Sequence, residues 1–301
     1  MYKRQLLYHA ITNTNDSILK NIIGINDDDQ NSTLNINNIY KVSKNLLSMK
    51  LPFHKPSFLP DFIGDFFFGD NSRYIEDSLT KSTNSSRCVY VNGILMDLQT
   101  IKNHKAKLKE VFPLLPPIDC FYNATDYFIS DIFECIINKQ TVHHSEASKK
   151  LFNNIVRLLV DPSIKNIIII AYSQGTIIIS FILSKLKEIG LDQKIYLEKL
   201  QIFLFSNCST CTKYVLPEKK LPYIESLSNE NDFVSKFGMN SSCIDLIDID
   251  GEKIIFNNRY GHLFIKNYLN NIEKIPEFKD SKLYHYTKKK TFDHPFDSFF
   301  S

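Results

Sequence analysis

The stretch Ile167–Leu183, IIIIAYSQGTIIISFIL, constrains this chain more than any other part of it. Its first part is a run of β-branched residues suited to a strand buried on both faces, and its last part is apolar at helical spacing. Between them stand only Ala171, Tyr172, Ser173, Gln174 and Gly175, so strand must pass into helix through a sharp turn centred on Ser173. Such a turn strains the serine and packs the residues two places either side against adjoining backbone, a demand that Ala171 and Gly175 meet by being small. The longer greasy stretch Ile164–Leu183 approaches the length of a membrane span, but Ser173, Gln174 and Gly175 at its centre argue against insertion.

From Arg87 onward, short apolar runs alternate with amphipathic stretches, the pattern of βαβ units around a parallel sheet. Strands are expected at Cys88–Asn92, Ile118–Tyr122, Ile167–Tyr172, Leu200–Ser206, Tyr223–Ser228 and Ile244–Ile249. Helices are expected at Asp97–Val111, Asp126–Asn138, Ser145–Leu159 and Gln174–Ile189, the last closed by Gly190. The Asp250-Gly251 dipeptide suggests a hairpin over Ile244–Phe256 at the sheet edge. The expected fold class is α/β: a mostly parallel central sheet flanked by helices on both faces, with an N-terminal extension.

The division expected is an extension over residues 1–86, a core over 87–275 and a tail over 276–301. The first segment is Asn/Asp-rich, then Pro/Phe-rich, then Ser/Asn-rich, and reads as a lid or packing appendage. Its FIGDFFF cluster, Phe62–Phe68, suits packing onto the core, with a grip on acyl chains or a membrane surface as the functional alternative. The tail, with Lys288–Lys290 and a Phe-rich end, has no clear periodicity.

A net charge of +3, from 36 basic and 33 acidic residues, provides no field to suggest nucleic acid as a partner. The opening residues, MYKRQLLYHAITNTND, lack the apolar core of a signal peptide, so a cytoplasmic protein with reduced cysteines is expected. The triplets at Asn84 and Asn123 that match a glycosylation signal carry little weight in an Asn-rich chain. Cys208-Ser209-Thr210-Cys211 is one CxxC without a second pair, better suited to lining a pocket than to holding a metal.

A serine at a helix N-terminus lies beside backbone N–H groups that can stabilise an oxyanion, and it becomes a nucleophile if a base and an orienting acid reach it. Asp232 follows the strand YIESLSN, and His262, in RYGH, precedes an apolar segment with helical spacing. Glu230 is the rival acid, with Asp245, Asp248 and Asp250 behind it. The candidate triad is therefore Ser173, Asp232 and His262, in the chain order Ser, Asp, His. The candidate oxyanion donors are the N–H groups of Gln174 and Ile94, with Asn92 and Gly93 shaping the turn after the strand Cys88–Val91.

Taken in order, the VNGI turn, the AYSQG elbow, the NENDFV loop and the YGH site resemble the α/β-hydrolase superfamily, particularly its lipase- and esterase-like members. The resemblance spans about Arg87 to Ile275. It implies hydrolysis of an ester, thioester or amide through an acyl-enzyme, on a small-molecule or lipid substrate, with no metal or organic cofactor. Ala171 stands where Gly is commoner, and VNGI where many lipases carry His-Gly. The competing expectations are a hydrolase-like fold kept as a binding scaffold, and an acyltransferase using the same residues.

Overall fold

The computed structural model describes residues 73–76, 85–93, 96–123, 146–209, 211–232, 234–235 and 248–287. The expected helix Asp126–Asn138, the Phe62–Phe68 cluster and Lys288–Lys290 lie outside these residues.

The strands are β1 (Arg73–Ile75), β2 (Ser86–Val91), β3 (Ile118–Tyr122), β4 (Asn166–Tyr172), β5 (Leu200–Phe205), β6 (Cys211–Thr212), β7 (Tyr223–Asn231), β8 (Asp248–Ile249) and β9 (Glu252–Tyr260). Seven of them form one sheet in the order β1-β3-β2-β4-β5-β7-β9. Only β1 is antiparallel in it; the other pairings are parallel, as the buried β-branched runs require. The longer helices are α1 (Leu98–Val111), α2 (Glu146–Val160) and α3 (Gln174–Glu188).

Alternation along the strands divides the core into two layers. Val89, Val91, Ile167, Ile169, Ala171, Ile202 and Leu204 face Leu151 and Ile155 of α2 and Ile178, Ile179 and Ile182 of α3. On the other side, Cys88, Tyr90, Ile168, Ile170, Tyr172, Phe203 and Phe205 meet Ile101 and Leu108 of α1 together with Phe264, Tyr268, Phe278 and Leu283. Each such aliphatic side chain contributes roughly 1.5–3 kcal/mol by leaving water, and β2, β4 and β5 are covered on both faces.

Local signals set the helix ends. Asp97 caps α1 by accepting the Thr100 N–H at 2.7 Å, which holds its carboxyl below the usual carboxylate range. Beyond α3, the N–H of Leu191 closes on the Leu186 carbonyl at 2.9 Å, with Gly190 between them in the left-handed region at φ 74°.

One feature departs from expectation, the hairpin over Ile244–Phe256: β8 pairs in parallel with β6 in a separate two-stranded sheet, while β9 runs parallel to β7. The packed body also takes in residues on either side of Arg87–Ile275. β1, within the stretch read as an extension, adds an edge strand, and the short turns Glu277–Asp280 and Lys282–Tyr286 bury Phe278 and Leu283. His104, on α1, is buried, with Nδ1 2.7 Å from the Tyr90 hydroxyl and its ring 5.0 Å from Phe264. Burial holds its imidazole pKa down to about 3.

Candidate active site

Ser173 is the single residue between β4 and α3. Its backbone sits at φ 55°, ψ −127°, a conformation that costs an L-residue roughly 1–3 kcal/mol and persists only where surroundings enforce it. Here the Ser173 N–H donates to the Phe205 carbonyl at 3.0 Å, and the Thr176 hydroxyl donates to the Ser173 carbonyl at 2.7 Å. A Cβ on Gly175 would lie 2.7 Å from the Val91 carbonyl oxygen and 2.9 Å from that of Asn92, so glycine lets the first turn of α3 rest on the end of β2. A Cβ on Gly93 would lie 2.9 Å from Ser173 Cβ and 3.3 Å from its Oγ, so the turn after β2 runs directly alongside the serine hydroxyl.

Because β4, β7 and β9 run parallel in one sheet, the residues following each emerge at one edge, where open α/β sheets place their ligands. His262 Nε2 lies 2.9 Å from Ser173 Oγ. His262 Nδ1 lies 3.1 and 3.0 Å from the two carboxylate oxygens of Asp232. Asp232 is fully buried, whereas the His262 side chain retains 16% exposure. Asp232 also accepts hydrogen bonds from the Ser206 hydroxyl at 2.5 Å, the Val234 N–H at 2.8 Å and the Tyr268 hydroxyl. Burial pushes its carboxyl up, but attraction to His262 and these donors outweigh burial and hold it below the usual carboxylate range.

The imidazole is gripped as well. The Tyr172 hydroxyl donates to the His262 carbonyl, and its ring stacks on the imidazole with centroids 5.0 Å apart. Asn229 Nδ2 donates to the carbonyls of Gly261 at 3.1 Å and Asn267 at 3.2 Å, tying the loop that carries His262 back to β7. A serine, an imidazole and a carboxylate so linked can move a proton from hydroxyl to ring while the acid steadies the resulting charge.

The fold is α/β, a mostly parallel sheet packed between helical layers. Among solved structures, the chain is similar to a dienelactone hydrolase from Anabaena variabilis, with 10% identity and a TM-score of 0.38 over 73% of this chain and 99% of that one. It is similar to an esterase from Pyrobaculum calidifontis, with 10% identity and a TM-score of 0.36 over 75% and 90% of the two chains. A third, mouse α/β hydrolase domain-containing protein 10, has 10% identity and a TM-score of 0.34 over 73% and 92%. No protein-family model and no curated protein matches the sequence.

The expected residues meet as follows. Ser173, Asp232 and His262 converge, with Gln174 opening α3 beside them and Asn92 and Gly93 forming the adjacent turn. Ala171 is fully buried in β4, and Ile94 lies outside the described residues. Of the rival acids, Glu230 is exposed, Asp250 accepts the Tyr214 N–H and pairs with Lys213, and Asp245 lies outside the described residues. Cys208 is buried with Sγ 3.6 Å from the Thr176 hydroxyl, and Cys211 is exposed in β6; neither is in a disulfide. Among the described residues, no cluster of three or more His, Cys, Asp or Glu side chains suits a metal, and no helix is long and apolar enough to cross a membrane.

Ser206, Tyr268 and Asn123 were not singled out by sequence for this site. Ser206 touches both the acid, at 2.5 Å, and His262 Nδ1, at 3.0 Å. Its position immediately after β5 is the only sequence signal that marks it, since strand ends along one edge converge. Asn123, a nominal glycosylation triplet, is instead buried, with its amide committed to Gln174.

Proposed function

We propose that the protein is a serine hydrolase that cleaves a carboxylic ester through an acyl-enzyme on Ser173. The observation that carries this reading is the 2.9 Å contact between Ser173 Oγ and His262 Nε2, with His262 Nδ1 3.0 Å from a buried Asp232 oxygen. In the reaction, Ser173 Oγ attacks the ester carbonyl carbon as His262 Nε2 takes the hydroxyl proton. The carbonyl oxygen gathers negative charge at the N-terminus of α3, against the Gln174 N–H, with a second donor from the turn at Gly93 and Ile94. The tetrahedral species collapses, the imidazolium gives its proton to the departing alcohol, and the acyl group stays on Ser173. Water, deprotonated by His262, then attacks the acyl carbon; the acid leaves and the serine regains its proton. The substrate class is a small-molecule or lipid ester.

A fluorophosphonate probe, which phosphonylates only activated serines, tests the reading. The expected result is a single adduct on Ser173 that disappears in Ser173→Ala, with loss of p-nitrophenyl ester turnover. Equal labelling of both proteins, or of neither, would show that Ser173 is not the nucleophile.

A further inference from the structure

The turn beside Ser173 is fastened by a chain of three buried amide side chains that no motif predicts. Asn92, Asn123 and Gln174 are 0%, 2% and 7% exposed. The parallel pairing of β2 with β3 ends at Val91 and Phe121. One step further, the Asn92 side chain takes over from the backbone: its Oδ1 accepts the Asn123 N–H at 2.8 Å, and its Nδ2 donates to the Asn123 carbonyl at 3.2 Å and to the Gly93 carbonyl at 2.6 Å. A backbone N–H can only donate, so the orientation of the Asn92 amide is fixed, and both of its N–H bonds are used. Asn123 Nδ2 then donates to Gln174 Oε1 at 2.7 Å.

We infer that Asn123 is a positioning residue for oxyanion binding, linking the turn at Gly93 to Gln174, the residue whose N–H receives the developing charge. The inference rests on the serine-hydrolase reading above. Its physical basis is that the first N–H groups of a helix have no carbonyl partner within that helix and are free to serve a ligand, provided their direction is held. Gln174 is the first residue of α3 and follows a strained Ser173; Thr176 holds the Ser173 carbonyl end of the peptide plane that carries the Gln174 N–H, and Asn123 adds a second hold through the Gln174 side chain. Asn123 grips the Gln174 side chain, Asn92 grips Asn123, and the same Asn92 amide grips the Gly93 carbonyl on the opposite flank of Ser173. The two flanks of the oxyanion site are thereby joined in one hydrogen-bonded unit, which resists opening as the substrate carbonyl becomes tetrahedral.

The test uses the full chain and three variants: Asn123→Ala, Gln174→Met, which keeps the backbone N–H, and the two combined. Turnover of p-nitrophenyl butyrate and affinity for phenylboronic acid, which forms a tetrahedral adduct on serine, are measured side by side. Each single variant is expected to lose about 10- to 100-fold in kcat with KM changed by less than about threefold, as displacement of a reacting group does. Boronate affinity should fall by the same factor as kcat/KM, because both report binding of the tetrahedral state. The double variant should lose no more than about twofold beyond the worse single one, since residues acting as one unit do not add. Unchanged kcat and boronate affinity in either single variant, a loss confined to KM, or losses that multiply would each overturn the inference. If Asn123→Ala lacks a cooperative melting transition, Gln174→Met decides alone by the same two readouts. A wild-type protein inert to the fluorophosphonate overturns the parent reading and this one with it, whereas reactive wild type with unaffected variants overturns only this one.

Discussion

Asp232 keeps its charge in a fully buried place because protons point at it from His262, Ser206, Tyr268 and the Val234 backbone. The same donors fix the plane of the carboxylate, and through it the tautomer in which His262 Nε2 is free to accept from Ser173. Asp232→Asn offers an amide where an acceptor is required, and kcat is expected to fall about 10,000-fold. Ser206→Ala leaves the carboxylate three of its donors but loosens its hold on the ring; about a 10- to 100-fold loss is expected. Glu230→Gln changes an exposed side chain and should leave kcat within about twofold. Steady-state turnover of a p-nitrophenyl ester by the three variants checks these values, and a large loss in Glu230→Gln would move the acid's role to that residue.

At the scale of elements, what was legible in sequence was what local chemistry controls. The β4–α3 elbow announces itself because a strand pattern and a helix pattern abut with small residues at set places. The hairpin over Ile244–Phe256 misled because Asp250-Gly251 answers a different need: a Cβ on Gly251 would lie 2.5 Å from the Ile224 carbonyl oxygen, so glycine is there for close approach to β7. Ser206, Tyr268 and Asn123 were illegible for a related reason: each acts across 26 or more residues of sequence, on a partner brought near only by the sheet. The elbow also supports a prediction. Gly175→Ala must push α3 off the end of β2, because both close neighbours of the new carbon are backbone oxygens. It should destabilise the protein by about 1–3 kcal/mol in chemical denaturation and slow fluorophosphonate labelling of Ser173. Normal labelling with normal stability would mean that the helix can shift without carrying the serine along.

For the molecule as a whole, the C-terminal turns are fastened to the sheet by one buried carboxyl. Glu225, in β7, is fully buried and accepts from the Tyr223 hydroxyl at 2.7 Å, the Lys282 N–H at 3.0 Å and the Ser281 hydroxyl. Segments this short carry no helical period, which is why residues 276–286 read as tail, and their hold comes from Phe278, Leu283 and this carboxyl. Burial raises the Glu225 pKa above its ordinary 4.5, with the hydrogen bonds from Ser281, Tyr223 and Lys282 offsetting part of the rise. The folded state therefore holds this proton more tightly than the unfolded chain does. Its contribution is complete below pH 4.5 and is lost as pH rises through the raised folded value. Glu225→Gln cannot ionise, and its amide can still accept from Tyr223 and Lys282 while donating to Ser281. Relative to Glu225→Gln, the wild-type melting temperature is expected to decline as pH is raised from 4.5 towards neutrality. Glu225→Ala, which leaves the Lys282 N–H without its acceptor, should lose about 1–3 kcal/mol at pH 4.5, a gap that narrows as pH rises. Parallel wild-type and Glu225→Gln melting curves across that range would mean that Glu225 stays ionised in the fold and that the turns are held by an anion.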